Sequence, residues 1–300
     1  MEDIYVIGHK NPDTDSVASA IVYAGIKGYK AAVAGDINPE TAFVLSKFGV
    51  AAPETVLNVE GKKLVLIDHN EIVQMTDGGD KADIVEIIDH HKLVVSLTKP
   101  IAVRVDPVGS TATIIANAYP NEVKANPVWA GLLLSAILSD TVIFKSPTTT
   151  DEDRNTAVLL ASVCGITDIV AYGIEMKKKN SSIVGKDIKD VIGSDFKAFE
   201  FSGKKIGVAQ TEMIDISEAM SRREEIIARL AEIKNEGYDL VIYAATDIIN
   251  EGSELFFVGD KAVIEKAFEI VAETDNSIYV KGLISRKKQI IPPIEEVYKQ

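Results

Sequence analysis

A chain of 300 residues with 46% hydrophobic and 26% charged residues has the composition of an ordinary globular protein long enough for two domains, which excludes a disordered or fibrous chain. The formal net charge of −13 argues against broad binding to nucleic acid or anionic membrane, both of which call for a basic surface. It leaves room for a polyanionic substrate, because carboxylates loaded with divalent ions can present a locally positive site.

Met1-Glu2-Asp3 opens acidic and runs straight into an apolar strand at 4–7, unlike a signal peptide. The strand meets Gly8-His9-Lys10-Asn11-Pro12-Asp13-Thr14-Asp15-Ser16, and the small and apolar residues that follow predict a helix starting near Asp15 or Ser16. A second strand is expected at 29–34 and a helix at 40–48. Apolar runs at 64–67 and 84–88 read as buried strands, the first ending in Asp68-His69-Asn70-Glu71 and the second in Asp89-His90-His91-Lys92. A strand at 101–105 ends at Asp106-Pro107, with a helix expected over 109–119. This alternation is that of a mainly parallel sheet flanked by helices, an α/β fold.

From Asn126 the pattern turns helical. Residues 127–139 form a strongly apolar helix that delivers Asp140-Thr141. Its apolar core is shorter than the roughly 20 residues needed to span a bilayer. Thr149-Thr150-Asp151-Glu152 resembles a capping box that opens a helix to 163, closed by Gly165. Residues 170–178 read as helix, with Lys177, Lys178 and Lys179 placed against its C-terminal dipole. Cys164 is the only cysteine, so neither an intrachain disulfide nor a cysteine-held zinc is expected, and a cytoplasmic location follows most simply.

Polar residues at 189–193 suggest a linker between a domain over 1–188 and a smaller α/β domain over 194–300. The latter is expected to hold a strand at 204–210 and one long helix at 217–235. Strands at 240–244 and 255–258 flank the turn residues 250–252. A helix at 261–272 and a strand at 277–283 follow, the strand running into Ser285-Arg286-Lys287-Lys288-Gln289.

Four segments thus place acids or imidazoles at the ends of apolar runs: His9/Asp13/Asp15, Asp68 with His69, Asp89/His90/His91, and Asp140. All four histidines of the chain belong to this set. Imidazole nitrogen and hard carboxylate oxygens suit a borderline-to-hard divalent cation such as Mn²⁺, Co²⁺ or Mg²⁺. The first turn read alone fits equally well a helix capped by Asp13 or Asp15 with His9 incidental. The recurrence breaks that tie, since such groups are costly to bury unless paired or metal-bound. So many acids exceed the needs of one ion, which points to two neighbouring ions sharing a water aimed at phosphorus or carbonyl carbon. His69 reads as a cap or a support behind the ligands. Asp89 either ligates or only orients a neighbouring histidine or caps a turn. His90 and His91 would point to opposite faces if the strand continued through them, so a shared site requires a turn there. In the second domain Asp195-Phe196-Lys197 and Ser285-Arg286-Lys287-Lys288-Gln289 supply cations suited to phosphate oxygens, or else basic surface loops.

The opening motif, Asp68-His69-Asn70, Asp89-His90-His91, Ser139-Asp140-Thr141 and Ser285-Arg286-Lys287-Lys288-Gln289 together resemble the family II, manganese-dependent inorganic pyrophosphatases of the Asp-His-His phosphoesterase superfamily. Asp106-Pro107-Val108-Gly109-Ser110-Thr111-Ala112-Thr113 and Phe144-Lys145-Ser146-Pro147-Thr148 share the likeness, which spans nearly the whole chain in order. The resemblance implies that His9, Asp13 and Asp68 hold one metal and that Asp15, Asp68, His90 and Asp140 hold the second, with Asp68 bridging. It implies that His91 faces the substrate and that Lys197, Arg286 and Lys287 bind its phosphates, in a cleft between the domains. It further implies Mn²⁺ or Co²⁺ as cofactor, Mg²⁺ with the pyrophosphate substrate, and a homodimer joined through the N-terminal domain. Asp68 and Asp89 lie only 21 residues apart, leaving no room for the regulatory nucleotide-binding insertion of some relatives.

The expected reaction is in-line attack on one phosphorus by hydroxide bridging the two metals, with positioning and charge stabilisation as the main protein contributions. An exopolyphosphatase acting on short polyphosphates is the nearest alternative. A nuclease of the same superfamily would typically carry a later glycine-rich, histidine-containing motif, and no histidine follows His91. A metal-dependent phosphate sensor without turnover is the remaining alternative.

Overall fold

The computed structural model describes residues 3–272 and 274–299. The chain divides into two compact units, one running through Asn180 and the other starting at Ser181.

In the first unit β1 (Ile4–Ile7), α1 (Thr14–Lys27), β2 (Lys30–Val33), α2 (Pro39–Lys47), β3 (Glu54–Thr55), β4 (Lys63–Ile67), β5 (Asp83–Asp89) and β6 (Ala102–Val105) follow one another, all but the two-residue β3 where the sequence predicts them. Helices α3 (Thr111–Ala118), α4 (Pro120–Lys124), α5 (Pro127–Asp140), α6 (Asp151–Cys164) and α7 (Ile169–Ser181) follow. The six strands are all parallel, in the order β3-β2-β1-β4-β5-β6. The chain therefore steps outward from β1 to β3 and then returns to the other side of β1. That reversal opens a crevice beyond the carboxyl ends of β1 and β4, where open α/β sheets bind ligands.

Burial explains why these runs are strands. Leu64 and Leu66 of β4 pack with Ile7, Ala32, Ile84 and Ile87, while Val65 and Ile67, also fully buried, alternate to the opposite face. Each such side chain contributes about 1.5–3 kcal/mol on leaving water. Helix α5 is apolar on nearly every side and correspondingly buried from Ala130 to Ser139.

The second unit holds α8 (Ile188–Ser194), β7 (Phe196–Phe201), β8 (Lys204–Met213), α9 (Ser217–Ser221), α10 (Arg223–Asn235), β9 (Leu240–Asp247), β10 (Gly252–Val258), α11 (Lys261–Phe268), β11 (Ser277–Lys281) and α12 (Ile291–Lys299). Its sheet order is β11-β10-β9-β8-β7, antiparallel except between β8 and β9. Strand β9 is buried on both faces. Leu240, Ile242 and Ala244 enter one core with Phe257 and Ile294, and Val241, Tyr243 and Ala245 enter the other with Phe256 and Leu230.

Three expectations change here. Residues 189–193 are not a linker but lie within α8, whose Val191 and Ile192 are buried in the second unit's core. The long helix expected at 217–235 is two helices broken at Arg222, whose guanidinium is drawn to the carbonyls of Ile183 and Lys186 and to Glu225. Residues 286–290 form a single π-helical turn capped by the Ser285 hydroxyl and continue into α12 rather than ending a strand.

Candidate metal centre

Each candidate ligand of the first unit sits where a strand or helix stops. Beyond β1, Gly8 lets the strand end close on the start of α1, because a Cβ there would come within 2.5 Å of the Ser16 Cβ. Asp13 then uses its two oxygens differently. Oδ1 accepts from the Ser16 amide and caps α1, whereas Oδ2 lies 3.3 Å from His9 Nε2. Capping and ligation, alternatives in the sequence, are thus compatible in one carboxylate, whose second oxygen remains turned toward His9.

Asp15, fully buried in the first turn of α1, accepts from the amides of Thr111 and Ala112 at 2.7 and 3.0 Å and from the Ser19 hydroxyl. Asp68, one residue beyond β4, adopts a left-handed backbone with φ 63°. That conformation is sparsely populated for a residue bearing a Cβ and tends to occur at functional positions. Its Oδ2 lies 3.4 Å from His9 Nε2 and its Oδ1 3.2 Å from His90 Nε2. Asp140, at the last turn of α5, brings Oδ2 to 3.4 Å from the same His90 nitrogen.

Beyond β5 the chain bends at once. Asp89 Oδ1 accepts from the amides of His90 and His91 and from His91 Nδ1, and the two imidazole centroids come within 4.2 Å of each other. This is the turn that the two adjacent histidines require. Asn70 secures it by donating to Asp89 Oδ2 and the Lys92 carbonyl while accepting from the Val94 amide. His90 donates from Nδ1 to the Val108 carbonyl, and His69 from Nδ1 to the Ile67 carbonyl. In both residues Nε2 is buried without a hydrogen-bond partner.

Ligand atoms of His9, Asp13 and Asp68 lie within 4.8 Å of one another, as do those of Asp15, Asp68, His90 and Asp140, and those of Asp68, His90 and His91. Asp68 belongs to all three groups. The donor set suits a divalent transition ion, and the buried His90 Nε2, which makes no well-aligned hydrogen bond yet lies 3.2 and 3.4 Å from carboxylate oxygens of Asp68 and Asp140, is the nitrogen such an ion would take. The electrostatics agree. Burial opposes charge on His9 and His90, yet the surrounding carboxylates outweigh it and hold their pKa values up at about 10 and about 12. Burial likewise opposes charge on Asp68, but His9 and His90 hold its carboxyl below the usual range. Burial, with the charges of Asp68 and Asp13 added, pushes Asp140 up to about 7, and burial with Asp68 and Asp140 raises Asp15 well above an ordinary carboxylate. Without a cation the cluster balances its charge with protons, on His9 and His90 and on the raised carboxyls of Asp15 and Asp140.

Supports of this site escape a reading of the sequence. Thr111 Oγ1 donates to Asp68 Oδ1, so one residue steadies two acids. Buried Asp153 accepts from the Gly109 amide, the Thr113 hydroxyl, and the amide and hydroxyl of Thr150, pinning the start of α3 to the start of α6. Glu40 accepts from the hydroxyls of Thr14 and Ser139 and pairs with Lys177 behind Asp140. Short polar residues before an apolar helix signal a cap, and only the three-dimensional arrangement shows what else they hold.

Of the cations expected to bind substrate, Lys197 lies on β7 and is exposed, as is Lys287. Arg286 is buried and bonded to Asp195 and to the carbonyl of Val208, the cross-strand partner of Lys197. The second unit thus gathers Arg286 and the Lys197 segment at one place.

Residues 3–137 match the family model described as DHH family, N-terminal domain, and residues 174–297 match that of the DHHA2 domain. The chain is 50% identical to a manganese-dependent inorganic pyrophosphatase of Methanocaldococcus jannaschii, over 98% of this chain and 99% of that protein. It is 47% identical to a manganese-dependent inorganic pyrophosphatase of Methanothrix thermoacetophila, over 100% and 99%. A crystal structure of a candidate family II inorganic pyrophosphatase of Methanococcus jannaschii superposes with a TM-score of 0.64 at 48% identity, covering 99% of this chain and 100% of that one. The chain belongs to the manganese-dependent, family II inorganic pyrophosphatases, within the DHH phosphoesterases.

Proposed function

We propose that this chain hydrolyses inorganic pyrophosphate to two orthophosphates at a pair of divalent cations, Mn²⁺ or Co²⁺, held at the strand ends of its first unit. The observation that carries the reading is the division of one carboxylate between two donor sets, Asp68 Oδ2 facing His9 and Oδ1 facing His90. His9, Asp13 and Asp68 would hold one ion and Asp15, Asp68, His90 and Asp140 the other. When bound, the ions supply Lewis acidity and lower the pKa of water for attack on phosphorus.

The chain's own residues do the positioning. Asp89 holds His91 by Nδ1 and leaves its Nε2 free to meet the substrate. Lys197, Arg286 and Lys287 are assigned to the phosphates, which reach them with Mg²⁺ bound. The names of the relatives, matched over their whole lengths, support both the substrate and the metal. A homodimer through the first unit is part of the proposal. Its support is an exposed apolar strip, Leu93, Val94, Val95 and Leu97, alongside Val103 on the edge strand β6.

The test is phosphate release from Mg-pyrophosphate and from tripolyphosphate, after chelator treatment and addition of Mn²⁺, Co²⁺ or Mg²⁺. Release from pyrophosphate restored by Mn²⁺ or Co²⁺ is expected. No release, or preference for tripolyphosphate, would overturn the assignment.

A further inference from the structure

Arg286 is held through its backbone and along one edge of its guanidinium before any substrate arrives. Its amide donates to Gln210 Oε1 at 3.2 Å, and Gln210 Nε2 in turn donates to the Thr246 hydroxyl and the Ile284 carbonyl. Gln289 closes the same loop, accepting from the amides of Ile284 and Ser285 and donating to the Gly282 carbonyl. The guanidinium is fixed by one residue above all. Nη1 donates to the Asp195 carbonyl at 2.5 Å and Nη2 to Asp195 Oδ1 at 2.8 Å, while Nη1 also reaches the Val208 carbonyl at 3.4 Å.

A guanidinium offers five N–H donors in a planar fork. Asp195 occupies the edge formed by Nη1 and Nη2. The Nε–H and the second Nη2–H form the other edge, and among the described residues they take no protein partner. Two parallel donors of this kind match two oxygens of one phosphate. Asp195 also immediately precedes β7, the strand that carries Lys197 two residues on.

We propose that Asp195 is a positioning residue for substrate binding: it locks Arg286 so that the Nε/Nη2 edge is dedicated to a phosphate, in register with Lys197. This rests on the reading that Arg286 binds substrate. The sign of the effect separates it from plain electrostatics. Asp195 is about half exposed (46% for its side chain), and a carboxylate acting only as a charge would repel a polyphosphate, so its removal would tighten binding. A positioning carboxylate predicts weaker binding on removal.

The experiment is steady-state hydrolysis of Mg-pyrophosphate by the full Mn²⁺-loaded chain, comparing D195A, D195N, R286A and the double variant D195A/R286A, with bound manganese measured in each. Arg286→Ala is expected to raise KM by about tenfold or more, a charge-assisted hydrogen bond being worth roughly that. Asp195→Ala is expected to raise KM about tenfold with a much smaller change in kcat and unaltered manganese content. Asp195→Asn, which keeps the carbonyl and the shape, should fall between it and the native chain. The double variant should bind no worse than R286A alone, since Asp195 then has nothing to position. If D195A lowers KM or leaves it unchanged while R286A raises it, Asp195 is no positioning residue and the Arg286 assignment survives. Multiplying effects in the double variant overturn the proposal in the same way. An unaltered KM in R286A overturns the Arg286 assignment itself. Should D195A fail to fold, D195N decides, a raised KM supporting the proposal and a native one ending it.

Discussion

Thr111 and Asp15 stand 96 residues apart in the chain, yet the amide of one lies 2.7 Å from the carboxylate of the other, and the Thr111 hydroxyl donates to Asp68. The start of α3 therefore carries none of the proposed ligands but sets the direction of two of them. Thr111→Val keeps the backbone donors and the volume and removes only the hydroxyl. It should weaken Mn²⁺ binding by about 10–100-fold, as loss of an outer hydrogen bond to a ligand typically does. Calorimetric titration of the chelator-treated protein measures this. Native affinity would mean that Asp68 needs no such support.

Asp68 is the one acid common to every donor group. Asp68→Ala should abolish retention of both ions, whereas Asp13→Ala and Asp140→Ala should each mainly loosen one. Metal content per chain after gel filtration separates these outcomes. Near-native manganese and turnover in D68A would refute a shared ligand.

Protonation supplies a third expectation. His9 and His90 are held up at about 10 and about 12 in the metal-free chain by neighbouring carboxylates, against about 6.5 when unfolded. A raised folded pKa stabilises fully below pH 6.5, and this contribution is lost as pH climbs toward 10 for His9 and toward 12 for His90, because the folded chain binds more protons than the unfolded one in that window. Metal-free stability, followed by denaturant unfolding, should fall across this range. Manganese affinity should rise over it, since each imidazole must surrender its proton to the ion. Metal binding without proton release into a weak buffer would contradict the assignment of these two histidines.

Gly8→Ala offers a purely steric test. The added methyl would meet the Ser16 Cβ at 2.5 Å, and both residues belong to the junction between β1 and α1. The expected cost is about 1–3 kcal/mol of stability. His9 and Asp13, flanking the junction, should lose metal affinity together. A variant with native stability would show that the junction relaxes freely.

Much of this site could be read from residue order because charge follows immediately on apolar runs. A run such as Leu64-Val65-Leu66-Ile67 would be costly in a solvated loop, so β4 and β5 announce where Asp68 and His90 emerge. Other features hide for definite reasons. Strand β3 has only two residues, both exposed, and shows no periodicity. Helix α12 begins Ile291-Pro292-Pro293, which reads as a breaker although proline is tolerated in a first turn. The capping box of α6 falls one residue later than it reads, at Thr150 and Asp153, because Asp153 is drawn inward by Gly109 and Thr113. Arg286 was visible as a cation, but its bond to Asp195 joins segments 91 residues apart, which no local pattern reveals.

The strand order has a consequence for how the protein matures. His9 and Asp140 are separated by 131 residues, and the parallel neighbours between them can pair only after long stretches of chain have closed. A growing polypeptide that has emerged only as far as His91 still lacks Asp140, so a complete set of donors cannot guide its early collapse. Assembly of the full donor set is therefore a finishing step, and manganese retained by the chain would serve as a certificate that the sheet has assembled.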